Sequence, residues 1–197
     1  EELEIFTDII AEYDPAVLDY WLPGSEDGMS SRSASNLSET KWKGAKVKPE
    51  DIHSDMDFSG ADLTGAKLRN DELRGKNFSF AKLFNTDLTA SNLVRANFTS
   101  ADMRLAKLQS AKLNGAKLSD ANLYNADMTG AYLRDARLRG TNLKNTNLAE
   151  ADLTLADLSN ADLTNANLTD ADLRGANLFG ANVTGADFTG ARLPDLS

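Results

Sequence analysis

Apolar residues recur at every fifth position over most of this chain. From Phe58 to Leu193, 28 consecutive positions spaced five apart are all apolar, and 21 of them are leucine. Alanine stands two residues before the apolar position in 21 of these units, and Asn or Asp stands directly before it in 19. Ten of the thirteen glycines follow two residues after it. A register kept without interruption over this length defines a five-residue repeat.

A period of five fits neither a helix nor a flat strand. Steps of five around an α-helix advance by about 140°, which would spread the leucines over all faces. In a strand, odd steps alternate between the two faces of a sheet. The pattern is satisfied if each unit is a short straight segment followed by a corner, with the alanine and the central apolar residue pointing inward. Four units then close a coil of 20 residues, and the 28 units make about seven stacked coils.

The units themselves carry a family resemblance. The segments "ADLTGAKL" (61–68), "ANLYNADMTGAYL" (121–133) and "ADLTNANLTDADLRGANL" (161–178) resemble the A(D/N)LXX units of the pentapeptide repeat family. The resemblance implies an all-β fold, a right-handed quadrilateral β-helix, and its handedness rests on the resemblance alone. It also implies a rigid solenoid scaffold for protein–protein interaction. The family is abundant in cyanobacteria and chloroplast lumens, so a structural or assembly role in a photosynthetic setting is an alternative.

The first part of the chain predicts a different organisation. Apolar residues at helical spacing among acids indicate a short α-helical segment over 1–22, which would cap the open solenoid end or bind a partner. Residues 23–34 are typical of a linker or loop. The spacing of five then returns over 35–55 as an irregular first coil with a bulge beside His53. The repeat β-helix is predicted over 56–195.

Charge is distributed unevenly along the sequence. The net charge is −9, of which residues 1–55 hold −8 and residues 56–195 hold −1. Within the repeats, 76–145 has 11 basic and 5 acidic residues, and 146–195 has 2 basic and 8 acidic residues. Some family members mimic DNA and inhibit type II topoisomerases, which requires a strongly acidic outer wall. The near-neutral repeat body makes that role a disfavoured alternative, and the scattered basic residues predict no nucleic-acid partner.

Residue types for catalysis are scarce. The chain has no cysteine and one histidine, so thiol chemistry is excluded and a histidine-based metal cluster or triad is not expected. We find no nucleophile–base pair, glycine-rich phosphate loop or metal-ligand set, and therefore expect no enzyme activity and no cofactor.

Hydropathy bears on the compartment. A run of 18 apolar residues is lacking, which predicts a soluble chain without membrane insertion. The family resemblance implies the cytoplasm or a thylakoid lumen as the compartment, and the sequence leaves this choice open. The first residue is Glu1, which indicates a processed product or an excised fragment.

One outer column is the candidate partner-binding site. The residues directly after the central apolar position, at a spacing of 20, alternate between aromatic and cationic side chains: Phe84, Arg104, Tyr124 and Lys144. Stacked in this order they permit cation–π contacts, and exposed aromatic residues and arginine are enriched in binding surfaces. Coincidence among many columns is the alternative interpretation. An end-to-end homodimer is a further alternative for the partner.

Departures from the repeat cluster near this column. Asp71 and Lys76 replace the inward alanine in successive units, so we expect them either to bond across one corner or to turn outward at a local bulge. Phe80 lies at an outward position beside Phe84 and is a further candidate for partner binding. Two other columns are predicted to stack: an inward one of Phe58, Phe78 and Phe98, and an outward one of exposed ion pairs formed by Lys67, Asp87, Lys107 and Asp127.

Overall fold

The computed structural model describes residues 57–194. The helical segment predicted over 1–22, the loop over 23–34 and the irregular coil over 35–55 lie outside these residues. Within 57–194 there is no helix, and the regular structure consists of parallel β-bridges that are each one residue long.

The bridges form four ladders, one on each side of a coil. Each bridge joins a residue to the residue 20 positions later, as in Asp62↔Lys82. We number the sides in chain order. Side 1 runs from Asp62 to Asn182, side 2 from Lys67 to Asp187, side 3 from Glu72 to Arg192, and side 4 from Asn77 to Asn177. The predicted coil of 20 residues with four sides is therefore confirmed over the described part of the chain.

Backbone hydrogen bonds hold successive coils together. On side 1, the Leu63 N–H donates to the Lys82 carbonyl at 2.7 Å, and the Lys82 N–H donates to the Ala61 carbonyl at 2.8 Å. A third bond runs from the Gly65 N–H to the Phe84 carbonyl at 2.9 Å. The same three bonds recur along all four sides, so each coil is bonded mainly to the coils directly before and after it.

Every corner is a turn with a left-handed residue. The Ala66 N–H donates to the Leu63 carbonyl at 3.0 Å, and Gly65 between them has a φ of +69°. A positive φ recurs at every fifth residue from Gly60 to Gly190. Type II turns require this conformation at their third residue, and Gly, Asn and Asp adopt it most easily. The glycine preference of the repeat follows from this requirement.

The Asn or Asp before the central residue closes the same corner. Its side-chain Oδ1 accepts a hydrogen bond from the backbone N–H two residues later: the Thr89 N–H donates to Asp87 at 3.1 Å, and the Ala149 N–H donates to Asn147 at 3.2 Å. All 19 of these residues make this bond. Short polar side chains are favoured here because they satisfy a backbone donor that the turn leaves unpaired.

The interior is filled by the alanines and the central apolar residues. From Phe58 to Leu173 the central residues are almost completely buried. The predicted aromatic column is confirmed: the ring centroids of Phe58 and Phe78, and of Phe78 and Phe98, are each 5.0 Å apart, with interplanar angles of 7° and 5°. The separation matches the spacing of neighbouring strands, so one ring per coil fills the lumen without a gap.

The last described coil is less well covered. The inward side chains of Leu178 and Phe188 are only partly buried, and Val183 is 42% exposed. Among residues 57–194, no carbonyl accepts from the N–H groups of Val183 or Phe188. The coil-to-coil bonding pattern is therefore incomplete at this end of the described segment.

Candidate interaction surface

The predicted aromatic and cationic column lies along the corner between sides 1 and 2. Phe84 and Arg104 occupy equivalent turn positions one coil apart. The Arg104 guanidinium carbon lies 5.5 Å from the centroid of the Phe84 ring, which is a cation–π contact. The structure therefore brings together the first two members of the column.

Arg104 is also fixed by its neighbour Asp102. The Arg104 Nε donates to Asp102 Oδ1 at 2.8 Å, and Nη2 donates to Oδ2 at 2.7 Å. A bidentate pair of this kind holds a guanidinium in one orientation more firmly than a single ion pair does. The cation thus lies along the corner in a defined position above the phenylalanine ring.

The two later members of the column are placed differently. Tyr124 is 38% exposed at the same corner. Lys144 is directed to the next coil, where its Nζ lies 3.1 Å from Asp162 Oδ2. The alternation predicted from the sequence therefore describes positions on the corner, and a cation–π contact joins Phe84 to Arg104.

Phe80 lies at the opposite edge of side 1. It occupies the corner between sides 4 and 1, in the same coil as Phe84, and is 68% exposed. It also has a φ of +59°, a conformation that is unfavourable for an aromatic residue. An exposed phenylalanine in a left-handed turn gains neither burial nor local stability, which makes it a good candidate for a partner contact.

Asp71 and Lys76 both point inward. Asp71 is 4% exposed and Lys76 is also buried, and the bridges on either side, from Glu72 and from Asn77, keep the normal register. The predicted alternative of a bulge that turns them outward is therefore wrong. Asp71 Oδ2 has no hydrogen-bond partner, and burial raises the pKa of the Asp71 carboxyl above its ordinary value.

The predicted row of ion pairs on side 2 does not form. Lys67, Asp87, Lys107 and Asp127 stack as bridge partners, but the structure shows no ion pair between them. Asp87 Oδ1 instead accepts from the backbone N–H and the hydroxyl of Thr89, and its Oδ2 lies 3.7 Å from Arg69 Nε. The corner hydrogen bond turns the carboxylate away from the lysines.

Asp152 and Asp172 stack as bridge partners on side 3, and Asp172 is paired with arginine. Asp172 Oδ2 lies 2.6 Å from Arg174 Nη2 and 3.7 Å from Arg192 Nη1. The hydrogen bonds from Arg174 lower the pKa of Asp172 to about 2. No group of three or more acidic or histidine side chains suited to a metal ion occurs within the described residues.

Exposed cations are concentrated on the other side of the coil, a grouping that the sequence interpretation did not name. The basic residues of the repeats were expected to scatter over all sides, and each side does carry at least one. Five exposed cations on and around sides 3 and 4 lie in neighbouring coils: Arg95, Lys112, Lys117, Arg137 and Arg139. Reading outward positions in columns 20 residues apart would have revealed the grouping, because each column is one strip of the surface.

Helices that could span a membrane were sought in the same part of the chain. None of the residues from 57 to 194 forms a helix long and apolar enough to do so.

Four ladders of parallel bridges around a filled interior define a four-sided β-helix, a solenoid that presents its chemistry on the outside. The sequence model described as Pentapeptide repeats matches residues 81–120, 116–154 and 156–193, in eight copies. These matches cover more than half of the chain, which belongs to the pentapeptide repeat family. Members of this family form right-handed β-helices and are typically non-enzymatic.

Solved structures of the family are similar to this chain. HetL, a pentapeptide repeat protein involved in heterocyst differentiation regulation in the cyanobacterium Nostoc, is 30% identical over 71% of this chain and 85% of its own, with a TM-score of 0.30. A pentapeptide repeat protein from the Arabidopsis thaliana thylakoid lumen is 34% identical over 63% and 66%, with a TM-score of 0.28. QnrB1, a plasmid-mediated fluoroquinolone resistance protein, is 17% identical over 78% and 84%, with a TM-score of 0.39. A comparison with curated proteins returned no significant match.

Proposed function

We propose that this chain is a non-enzymatic, rigid scaffold for protein–protein interaction. Its docking surface is the corner between sides 1 and 2 together with Phe80. The contact between Phe84 and Arg104, held in place by Asp102, carries the proposal. Aromatic rings and arginine dominate the energetics of protein interfaces, and side chains that are ordered before binding lose little entropy when a partner docks.

The packing of the coils supports a scaffold rather than an enzyme. The inward positions of the described coils are filled by buried alanine, leucine and phenylalanine side chains. Apart from Asp71, Lys76 and a few buried serine and threonine side chains, the polar groups of the described coils therefore lie on the outer sides, where water has access. Most catalytic sites need a concave, partly dry environment in which charges interact strongly.

Other parts of the proposal rest on sequence. A helical cap in residues 1–22, an end-to-end homodimer and a location in the cytoplasm or a thylakoid lumen all stay predictions. Inhibition of a type II topoisomerase by DNA mimicry is disfavoured, because the repeat body has a net charge of only −1. A gyrase supercoiling assay in which this chain inhibits the enzyme would reverse that ranking.

The docking surface is tested by capture from a native extract. The double variant Arg104→Glu with Tyr124→Ala should lose the partner that the unchanged chain retains, and its melting temperature should change little because both side chains lie outside the core. The matched control is Arg134→Glu with Tyr132→Ala, which changes the same residue types on side 3. We expect the control to retain the partner. Retention by the first variant and loss by the control would place the site on side 3 and contradict the proposal.

A further inference from the structure

A second charged surface lies diagonally across the coil from the proposed docking corner. It is formed by five of the exposed cations on and around sides 3 and 4, and we call it the basic patch: Arg95, Lys112, Lys117, Arg137 and Arg139. All five side chains belong to exposed residues. The corner between sides 3 and 4 is opposite the corner between sides 1 and 2 in a four-sided coil, so partners bound at these two corners would not overlap. Arg139 and Phe80 both stand at the corner between sides 4 and 1, but three coils separate them.

Two cations of the basic patch are direct neighbours in one ladder. Lys117 and Arg137 are bridge partners on side 4, so their backbones lie about 4.8 Å apart. Like charges placed directly opposite each other on neighbouring strands are destabilising. Both residues also occupy the position where 19 of the 28 units have Asn or Asp, and they lack the corner hydrogen bond that those residues make. A stacked pair that gives up local stability in two ways is typical of a functional surface.

The basic patch differs in its ion pairing from several other cations. Arg69 at the corner between sides 2 and 3, and Arg104 and Lys144 at the corner between sides 1 and 2, each lie within 4.0 Å of an aspartate. In the described part of the chain, the lysines of sides 1 and 2 form no ion pair at that distance: Lys67, Lys82 and Lys107. Within residues 57–194, no ion pair at that distance is formed by any of the five members of the basic patch. The nearby Arg134 pairs with Asp135 at 3.7 Å. The basic patch therefore presents positive charge that the described residues do not neutralise through close ion pairs.

A glycine leaves room for the side chain of Arg95 at the edge of the basic patch. Gly115 stands one coil above Arg95, and a Cβ built on Gly115 would lie 3.5 Å from Arg95 Cγ. The Arg95 side chain therefore passes beside the glycine, which stands between Lys112 and Lys117 in the next coil. Arg95 thus borders the same surface although it belongs to an earlier coil.

Acidic residues limit the length of the basic patch. On side 3, Asp152 and Asp172 follow in the later coils and Glu72 precedes it. On side 4, the next residue of the ladder after Arg137 is Asp157. A nucleic acid that continued along the rod would meet these carboxylates, whereas a short acidic peptide would contact the cations without reaching them. Two exposed acids lie beside the basic patch: Asp135, which pairs with Arg134, and Asp120 at the corner between sides 4 and 1.

We propose that the basic patch docks a short acidic segment of a second partner protein. Aspartate and glutamate carboxylates of that segment would pair with Lys117, Arg137 and their neighbours, since guanidinium and ammonium groups form their strongest hydrogen bonds with carboxylates. This surface goes beyond the proposed function, because it allows the scaffold to hold two partners at once, one at each of two opposite corners.

The test measures binding of a fluorescein-labelled peptide of alternating Glu and Gly residues by anisotropy at low ionic strength. The triple variant Lys117→Gln, Arg137→Gln and Arg139→Gln should bind the peptide about tenfold more weakly, because each exposed ion pair contributes a factor of about two to three. The full chain is used throughout, and an unchanged far-UV spectrum and melting temperature show that the variants are folded.

A matched control removes the same charge from the other sides. Lys67→Gln, Lys82→Gln and Lys107→Gln on sides 1 and 2 should leave the affinity within about twofold. Equal loss in both triple variants would show that net charge alone attracts the peptide and would overturn the proposal. Tighter binding of a single-stranded oligonucleotide of equal charge would overturn it as well.

The proposals for the two surfaces can be tested independently of each other. The corner variant Arg104→Glu with Tyr124→Ala should keep its affinity for the acidic peptide, and the variant of the basic patch should keep the partner captured from extract. Loss of both activities in either variant would contradict the existence of two separate surfaces.

Discussion

At the scale of single residues, the third residue of each turn, which has the positive φ, contacts the equivalent position in the next coil. In several coils its side chain extends towards the residue 20 positions later, and that residue is a glycine. A Cβ built on Gly140 would lie 2.6 Å from Asp120 Oδ1, and one on Gly180 would lie 2.5 Å from Asn160 Oδ1. Gly75 has the same backbone conformation, with nothing within 4 Å of its missing Cβ. Wherever glycine stands at a corner, it adopts the positive φ without strain, and at some corners it also leaves room for a side chain from the preceding coil.

The two roles of glycine can be separated by substitution. Gly75→Ala should reduce the free energy of unfolding by about 1 kcal/mol, since alanine is strained at positive φ. Gly140→Ala should cost more, because Asp120 must also move. The double variant Gly140→Ala with Asp120→Ala should lose about as much free energy of unfolding as Gly75→Ala does. Chemical denaturation measures all three, and equal losses for the two single variants would show that Asp120 moves at no cost.

The buried Asp71 gives a pH dependence with a definite sign. Because its pKa is raised in the folded state, ionisation of the carboxyl favours the unfolded chain. The destabilisation is absent below the ordinary pKa of about 4 and grows as the pH rises through the folded value. Asp71→Asn should therefore raise the melting temperature at pH 7, and the difference should close as the pH falls to about 4. A lower melting temperature of the variant at pH 7 would mean that the carboxylate is stabilised by a charge partner.

At the scale of the coil, the phenylalanine column adds ring contacts to the packing of the lumen. Phe78 stacks on two rings, whereas Phe98 stacks on one ring of the column, and Leu118 continues the column in the next coil. Leucine therefore fits this place in a coil, and the substitution mainly removes ring contacts and some volume.

Replacement of the central ring should cost more than replacement of the terminal one. We expect Phe78→Leu to reduce the free energy of unfolding by about 1 to 2 kcal/mol and Phe98→Leu by about half of that, since a stacked aromatic pair contributes about 0.5 to 1.5 kcal/mol. Urea titration of the two variants gives the comparison. Equal losses would indicate that volume alone matters in the lumen.

Features of this molecule that follow from the geometry repeated in every unit could be predicted from the sequence, whereas features that depend on individual side-chain contacts between coils could not. The coil and the phenylalanine column could be predicted because each unit repeats the same local turn and the same inward positions. The direction of Lys144 could not, because it depends on Asp162 in the next coil. The absence of ion pairs on side 2 was missed for a related reason: the corner hydrogen bond of Asp87 competes with Lys107 for the same carboxylate.

The repeat pattern alone could not predict the direction of charged side chains at inward positions. The repeat predicts that position 71 points inward, and elementary electrostatics predicts that a charge should not. The structure resolves this conflict in favour of the register, because moving one side chain outward would break the three backbone bonds per side that every coil makes. Backbone bonding therefore outweighs the preference of a single carboxylate for water.

At the scale of the whole solenoid described here, charge and recognition are separated around the coil and along it. The proposed docking corner neutralises its cations locally, whereas the basic patch leaves them exposed. Along the rod, the excess of basic residues over 76–145 gives way to an excess of acidic residues over 146–195. Electrostatic attraction and repulsion would therefore favour one position and one orientation of a charged partner on this segment.

The constant count of 20 residues per coil also fixes the angular phase of every side chain. Each five-residue unit advances the chain by a quarter turn, so a gain or loss of one unit after Arg104 would carry Tyr124 and Lys144 to a different corner. A gain of four units would restore the alignment and only lengthen the rod. Evolution can therefore change the distance between two surfaces in whole coils, but it can change their relative angle only in quarter turns.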